Sequence, residues 1–345
     1  MHAEFNDRVS LRAADFRLPD IPELPSGLLT LADITLWPGA NGLHDSAGLP
    51  IPETCVRRGF ALDHFPHGRP EPLDATQRGL ASAADPLERI VYLPYARMVH
   101  FGHLLTEFAG HAGSLLEHPR GLDGIGGEGS VLVVSARCES STAALADLLG
   151  LPSDRVFSTA SLPAPVRASL ALVPRPSMIN RHGLNRRHFS HVRSVLDRLY
   201  GVGDRLAALT ATAGHEKVYL SRSRLPPDAR RVRDEDAMEA ELERLGWRIV
   251  HPQELTVGDQ LDRLAAAATV AGCVGSALHL LMAFGEDHGG RRLIALGSGV
   301  ERTNPNVALQ AARQGMPFRH LVCVTDDDEV APARMHRLRF TAPPP

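Results

Sequence analysis

Charge of one sign is what this sequence has least of: 37 Lys and Arg against 40 Asp and Glu leave a formal net charge of -3 over 345 residues. That balance creates no strong field for a nucleic acid or an anionic membrane. Long hydrophobic runs are missing too. No stretch approaches the roughly 18 to 20 apolar residues of a membrane span. The opening MHAEFNDRVSLRAADF carries charges throughout, where a secretion signal would have an apolar core. The expected location is cytoplasmic, either free or peripheral at the inner face of the membrane. Cysteine is scarce: Cys55, Cys138, Cys273 and Cys323 lie far apart with no C-x-x-C pair, which indicates neither a zinc site nor a disulfide framework. They are expected to be reduced and mostly buried. No G-x-G-x-x-G follows an early strand, which disfavours a dinucleotide dehydrogenase. The 17 histidines include His100, His103 and His111, yet no H-E-x-x-H accompanies them.

What is present is an alternation of strand and helix patterns. Residues 1 to about 90 are rich in proline and turns, and LWPGANGLHDSAGLPI reads as two short strands joined by an Asn/Asp/Gly corner. From RIVYLPYA onward the pattern is strand at Ile90 to Leu93, helix from His103 to Leu116, strand at Ser130 to Ala136, helix over Ser141 to Leu149 and a short strand at Arg155 to Phe157. A turn-rich passage, LVPRPSMINRHGLNRRHF, reads as a linker, and a helix over about Phe189 to Tyr200 follows it. The second half alternates more clearly: KVYLSRS, RIVHP, TVAGC, RLIALG and HLVCV as strands, with helices at Asp234 to Leu245, Val257 to Ala267, Ser276 to Phe284 and within NPNVALQAARQG. Strands alternating with helices imply parallel βαβ units. The expected fold is α/β, two Rossmann-like doubly wound domains facing across a cleft, with residues 1–185 in the first, 186–325 in the second and 326–345 as a tail.

Three segments carry chemistry. In TVAGCVGSALHLLMAF a strand ends at Gly272, and Gly275 and Ser276 open a helix. Unpaired N–H groups and the positive end of a macrodipole suit such a corner to phosphate; a plain glycine turn with a capping serine is the competing reading. In YLSRSR, Arg222 and Arg224 leave a strand whose carboxyl end shares that crevice if the sheet is parallel, and two guanidinium groups there can clamp a diphosphate. The competing reading is a solvated basic loop paired with the acidic helix after it, and Arg230, Arg231 and Arg233 are read as surface or cap residues. In VHFGHLLTEFAGH, His103 and Glu107 stand four apart, on one helix face, where a carboxylate beside an imidazole makes a usable general base. A histidine cap and a surface glutamate would read the same way.

Together these segments resemble glycosyltransferase family 61, a group that includes bacterial capsular polysaccharide biosynthesis proteins. The resemblance is strongest from Lys217 to Phe284, where YLSRSR, RRVRDEDAMEAELERLGWRIV and PQELTVGDQLDRLAAAATVAGCVGSAL follow the family's order and spacing. VHFGHLLTEFAGHAGSLL and TLWPGANGLHDSAGLPI match more loosely. Two positions depart from the pattern: Asp234 replaces an asparagine beside Glu235, and Leu280, next to His279, replaces another.

The resemblance implies a GT-B-like arrangement with an acceptor-side first domain and a nucleotide-sugar-binding second domain. It implies inverting, metal-independent transfer of a sugar from a nucleotide-sugar donor, with no further cofactor, to a glycan or polysaccharide-type acceptor. His103 or Glu107 would be the base. The amides at Gly275, Ser276 and Ala277, with Arg222 and Arg224, would hold the diphosphate. Glu254 and Leu255 of HPQEL would flank base or ribose; Glu235 would meet ribose or Arg222; His279 would lie beside the corner. Partners of a polysaccharide-assembly complex fit the same reading. The alternatives are a metal-dependent hydrolase and a non-catalytic nucleotide-sugar-binding subunit. The acidic triplet Asp326 to Asp328 reads as a solvated turn rather than a metal site.

Overall fold

The computed structural model describes residues 9–13, 24–56, 70–94, 98, 100–118, 122–123, 127, 130–135, 142–208, 214–226, 235–286, 288–297 and 305–325. The chain divides into two compact units, Ile21–Gly201 and a second made of Met1–Asp20 with Val202–Pro345.

Strand β1 (Val9–Ala13) belongs to the second unit; the five-stranded sheet of the Ile21–Gly201 unit is made of β2 (Leu28–Leu36), β3 (Pro86–Leu93), β4 (Val131–Val134), β5 (Val156–Ser158) and β6 (Val166–Pro174), in the order β2-β6-β3-β4-β5. All neighbours are parallel except the edge strand β2, which runs antiparallel to β6. The last four residues of β3, Ile90 to Leu93, are all fully buried. A central parallel strand is covered on both faces, so its sequence runs apolar without alternation. Ile90 and Tyr92 pack with Ile34, Leu36, Ala171 and Val173 in the core of this unit.

Helix α1 (Ala75–Ser82) precedes β3 and is started by a capping box in which Asp74 and Gln77 each accept the other's backbone N–H. After β3 comes one continuous helical run: α2 (Phe101–His103), a π-helical turn (Leu104–Phe108) and α3 (Ala109–Glu117). Helix α4 (Thr142–Leu149) joins β4 to β5. The passage expected as a linker is structured here: β6 fills its start, and β7 (Met178–Ile179) pairs with β8 (Gly183–Leu184) as a small antiparallel hairpin. Helix α5 (Arg187–Tyr200) follows and ends at Gly201, whose φ of 61° is the left-handed cap that glycine adopts without strain.

The second unit carries a six-stranded sheet. Its strands are β1 (Val9–Ala13), β9 (Glu216–Leu220), β10 (Trp247–Val250), β11 (Ala267–Cys273), β12 (Arg292–Gly297) and β13 (Phe318–Thr325), in the order β1-β13-β12-β11-β9-β10. Strands β9 to β13 are parallel, and β1 closes the edge antiparallel to β13. Helices α6 (Gly203–Ala208), α7 (Glu235–Arg244), α8 (Val257–Ala265), α9 (Ser276–His279) and α10 (Pro305–Gln314) connect them. Thr256 caps α8 by accepting the N–H of Asp259. The helix expected over Ser276 to Phe284 is one α-turn that tightens into a 3-10 stretch, Leu280–Phe284.

Both sheets reverse their strand order at one place. In the second unit β10 adds to one side of β9 and β11 to the other; in the Ile21–Gly201 unit β4 adds to one side of β3 and β6 to the other. Loops leaving the two central strands at such a point diverge and open a crevice beyond their carboxyl ends, where ligands of open α/β sheets bind.

Candidate functional site

The reversal between β9 and β11 brings two of the sequence-selected segments together. The strands are parallel, with Tyr219 opposite Ala271 and Leu220 opposite Gly272, so Arg222 and Gly275 leave adjacent carboxyl ends. Arg222 reaches across and donates from Nη2 to the carbonyl of Val274 at 3.0 Å and of Cys273 at 3.3 Å. The guanidinium lies directly against Gly275: a Cβ there would stand 1.9 Å from Nη2. Gly275 is extended, with φ 164°, so a side chain there would be opposed by the Arg222 guanidinium, which would have to move, and not by the backbone angle. Gly275, Ser276 and Ala277 are half-buried at the mouth of this corner. The α-helical turn they open is short, so its macrodipole is weaker than a long helix would supply, and Arg222 is the full charge at the site.

Glu235 stands behind Arg222. It is 2% exposed, and its Oε1 accepts from the Tyr219 hydroxyl at 2.7 Å and from the Arg222 backbone N–H at 3.1 Å. Burial raises its pKa, and these two hydrogen bonds offset part of the rise. It therefore fixes the bend at which Arg222 leaves β9. Arg224 and Glu254 form an exposed ion pair at 2.7 Å, joining the loops after β9 and β10. Leu255 is half-buried, and its carbonyl and that of Pro252 accept from Gln260 Nε2, which holds the HPQEL loop against α8. His279 is buried and turned to α10, where its Nδ1 meets Gln310 Oε1 at 3.2 Å. Burial pushes the Cys273 thiol up to about 11, so it is a neutral core group. Arg230, Arg231, Arg233, Asp234 and the triplet 326–328 lie outside the described residues.

The Ile21–Gly201 unit gathers a second constellation at its own reversal, between β3 and β6. His103 Nδ1 is hydrogen-bonded to Glu107 Oε2, on one face of the helical run as the spacing predicts. The side chain of Glu107 is 4% exposed and that of His103 is 24% exposed. The imidazole is thus the member that meets solvent, with the carboxylate behind it. The helix passes through its π turn here, a local widening that recurs at functional sites. The His100 ring contacts that of His103 edge to face, with centroids 4.8 Å apart.

Two further residues stand beside Glu107: Asn180, which the sequence pattern did not bring forward, and His111, which lies four positions on along the same helical run. Asn180, from the turn of the β7–β8 hairpin, donates from Nδ2 to Glu107 Oε1 at 3.1 Å. His111 is buried one turn further along the helix, and burial lowers its pKa to about 4 against a smaller opposing pull from the Glu107 charge. A small pocket has Glu107, His111, Asn180, Met178, Glu53 and Cys55 in its wall. The signal that could have found Asn180 is topological: it follows β6, the strand on the far side of the reversal from the segment carrying His103.

Elsewhere a fully buried cation was also missed. Arg291 donates to the carbonyls of Leu264 and Ala265 at the end of α8 and to that of His288, and its guanidinium lies 4.3 Å from the Phe284 ring centroid. It caps a helix C-terminus from inside the core. Among the described residues, no group of three or more His, Cys, Asp or Glu is placed to hold a metal ion, and no helix is long and apolar enough to cross a membrane.

Comparison with known proteins agrees with the resemblance in the motifs. No curated protein matches the chain. The family model described as Glycosyltransferase 61 matches residues 101–289, which runs from the start of α2 through the Gly275 corner and takes in both constellations. That span is more than half of the 345 residues. The chain belongs to glycosyltransferase family 61.

Proposed function

We propose that this protein transfers a sugar from a nucleotide-diphosphate donor to a glycan or polysaccharide-type acceptor, with inversion at the anomeric carbon and without a metal ion. The observation that carries the reading is the pairing of a partly exposed imidazole with a buried carboxylate, His103 with Glu107, inside a glycosyltransferase family match. An ionised carboxylate can only accept, so Nδ1 of His103 carries the proton of their hydrogen bond, and in the neutral ring the lone pair is then on Nε2. His103 is then the base and Glu107 its orienting partner. As the acceptor hydroxyl loses its proton to Nε2, its oxygen bonds to the anomeric carbon from the face opposite the leaving phosphate, and the bond to the diphosphate breaks.

The departing diphosphate gathers negative charge, which Arg222 and the N–H groups of Gly275, Ser276 and Ala277 are suited to stabilise because they are fixed before the reaction begins. Glu235 acts through Arg222 by holding its backbone. Arg224 would join Arg222 on the diphosphate, and Glu254 and Leu255 would flank the base or ribose; donor binding that opens the exposed Arg224–Glu254 pair costs little, since such pairs contribute about 0 to 1 kcal/mol. His279 would act only through the packing of the corner on α10. In this reading the fold is GT-B-like, the nucleotide-sugar is the co-substrate, and the protein works in the cytoplasm, free or peripheral to the membrane beside polysaccharide-assembly partners.

Calorimetric titration with a panel of nucleotide diphosphates and nucleotide-sugars, in chelator and again with a divalent cation, tests the donor half. One nucleotide should bind in chelator and lose about ten- to a hundredfold affinity in Arg222→Ala, the cost of a charge-assisted hydrogen bond. Binding that appears only with the cation would sink the metal-free reading. Binding untouched by the substitution would remove Arg222 from the site.

A further inference from the structure

We propose that Asn180 is a positioning residue for the His103–Glu107 pair: its amide fixes the rotation of the Glu107 carboxylate, so that His103 holds its proton on Nδ1 and presents Nε2. The inference rests on the reading of His103 as base, and it adds a residue that no family motif in the sequence brought forward.

The geometry assigns each carboxylate oxygen. Oε2 of Glu107 takes His103 Nδ1, and Oε1 takes Asn180 Nδ2 at 3.1 Å. Against an acceptor-only carboxylate, the asparagine must present its NH2 and not its carbonyl. With Oε1 held, rotation of the carboxylate about its last bond would break a hydrogen bond to a buried, 4% exposed group, which is costly. An imidazole free of its carboxylate partner chooses its tautomer by whatever else it meets; one held by it has no such choice.

The mount of Asn180 is built for fixed distance. The hairpin that carries it is clamped to the same helical run that carries Glu107. The Ser177 N–H donates to the Gly110 carbonyl at 2.9 Å, and Gly110 itself has no room for a side chain without crowding the Met178 carbonyl and amide at 3.2 and 3.3 Å. From the other side, α5 grips the hairpin: Ser177 Oγ is 2.9 Å from His188 Nδ1 and 2.8 Å from His191 Nδ1. His191 in turn packs on Gly113 and lies 3.4 Å from Glu117, both on α3. Acceptor and donor of the Glu107–Asn180 bond thus share one rigid support, which is what keeps a supporting hydrogen bond from drifting.

The Ser177–His191–Glu117 chain has the order of a nucleophilic triad, but Ser177 is 1% exposed and its oxygen is engaged by two histidines. Its work is to anchor the hairpin.

The test reads the imidazole itself and needs no substrate. Full-length protein with ¹⁵N-labelled histidine is examined by long-range proton–nitrogen NMR at pH 8, the His103 signal being assigned by its loss in His103→Gln. Wild-type His103 should be the Nδ1–H tautomer. In Asn180→Ala and in Asn180→Leu, which keeps the volume but not the donor, the ratio of Nδ1–H to Nε2–H should fall by roughly fivefold, the effect of losing one hydrogen bond. The proposal is overturned if wild-type His103 is already Nε2–H, if both variants keep the wild-type tautomer, or if only Asn180→Ala changes it, since that would make volume and not the amide responsible. Nucleotide diphosphate release by His103→Gln separates the two readings: full turnover in that variant would end His103's role as base while leaving the tautomer result standing.

Discussion

Acidification should cost the fold stability at His111. His111 is buried, and burial lowers its pKa to about 4, while Glu107 pulls weakly the other way. In the unfolded chain a histidine titrates near about 6.5. The folded value is the lower one, so the unfolded state binds the proton first as pH falls. The neutral ring's contribution to stability is therefore whole above about pH 7 and is lost between roughly 6.5 and 4. With those two values the loss is about 2 kcal/mol at pH 5 and about 3 kcal/mol by pH 4, at 1.36 kcal/mol per pH unit. The ring also stands beside Glu107, so a protonated His111 would compete with His103 for the carboxylate. Urea unfolding of wild type and His111→Gln at pH 7.5 and pH 5 measures this directly. The wild type should lose about 2 kcal/mol more than the variant over that interval. Parallel losses in the two proteins would mean that the buried ring takes up its proton without resistance, and the argument from burial would fail.

Much of the second unit was legible because its strands and helices announce themselves. Every strand from KVYLSRS to HLVCV appears, and α8 and α10 sit where apolar periodicity placed them. The first unit was less so, for a physical reason. Strand β6, VRASLALVP, is central, parallel to β3 and covered on both sides over its last four residues, so its apolar run lacks the alternation that marks a half-exposed strand. It is followed at once by prolines and by the two-residue strands of a hairpin, too short to carry a period, so the passage from Leu172 reads as a linker and Val166 to Ala171 before it are assigned no element. Strand β2 was hidden likewise in a proline-rich, turn-rich region, although the His44 bridges to Thr35 and Pro50 keep the expected corner after it.

For the candidate site, spacing carried contacts close in sequence and failed for those across the sheet. His103 and Glu107, four apart, meet as expected, and Arg222 reaches the Gly275 corner because β9 and β11 are parallel neighbours. The burial of His279 against Gln310 depends on α10, some thirty residues away, and nothing local signals it. Asn180 and Glu107 are 73 residues apart. What joins them is the reversal of strand order between β3 and β6, a property of topology that becomes readable only once β6 is recognised as a strand.

Two further predictions follow from the donor corner. Gly275→Ala should fold normally, since φ 164° suits any residue, yet weaken nucleotide binding about ten- to a hundredfold by driving Arg222 from a Cβ 1.9 Å away; calorimetry on the double variant with Arg222→Ala should show no additional loss. Additive losses would mean the glycine serves something other than Arg222. Glu235→Gln tests the group behind that arginine, and its sign is opposite to the usual carboxylate. Because burial raises the folded pKa above the unfolded one, the carboxyl contributes most to stability when protonated, below the unfolded value, and loses that contribution as pH rises through the folded pKa. Glutamine keeps an acceptor for the Tyr219 hydroxyl and the Arg222 N–H but carries no charge. The variant should therefore gain on wild type in thermal stability between pH 5 and pH 8. A gain that shrinks with rising pH would show that the hydrogen bonds from Tyr219 and Arg222 outweigh desolvation, and that Glu235 holds the Arg222 bend as a favoured anion.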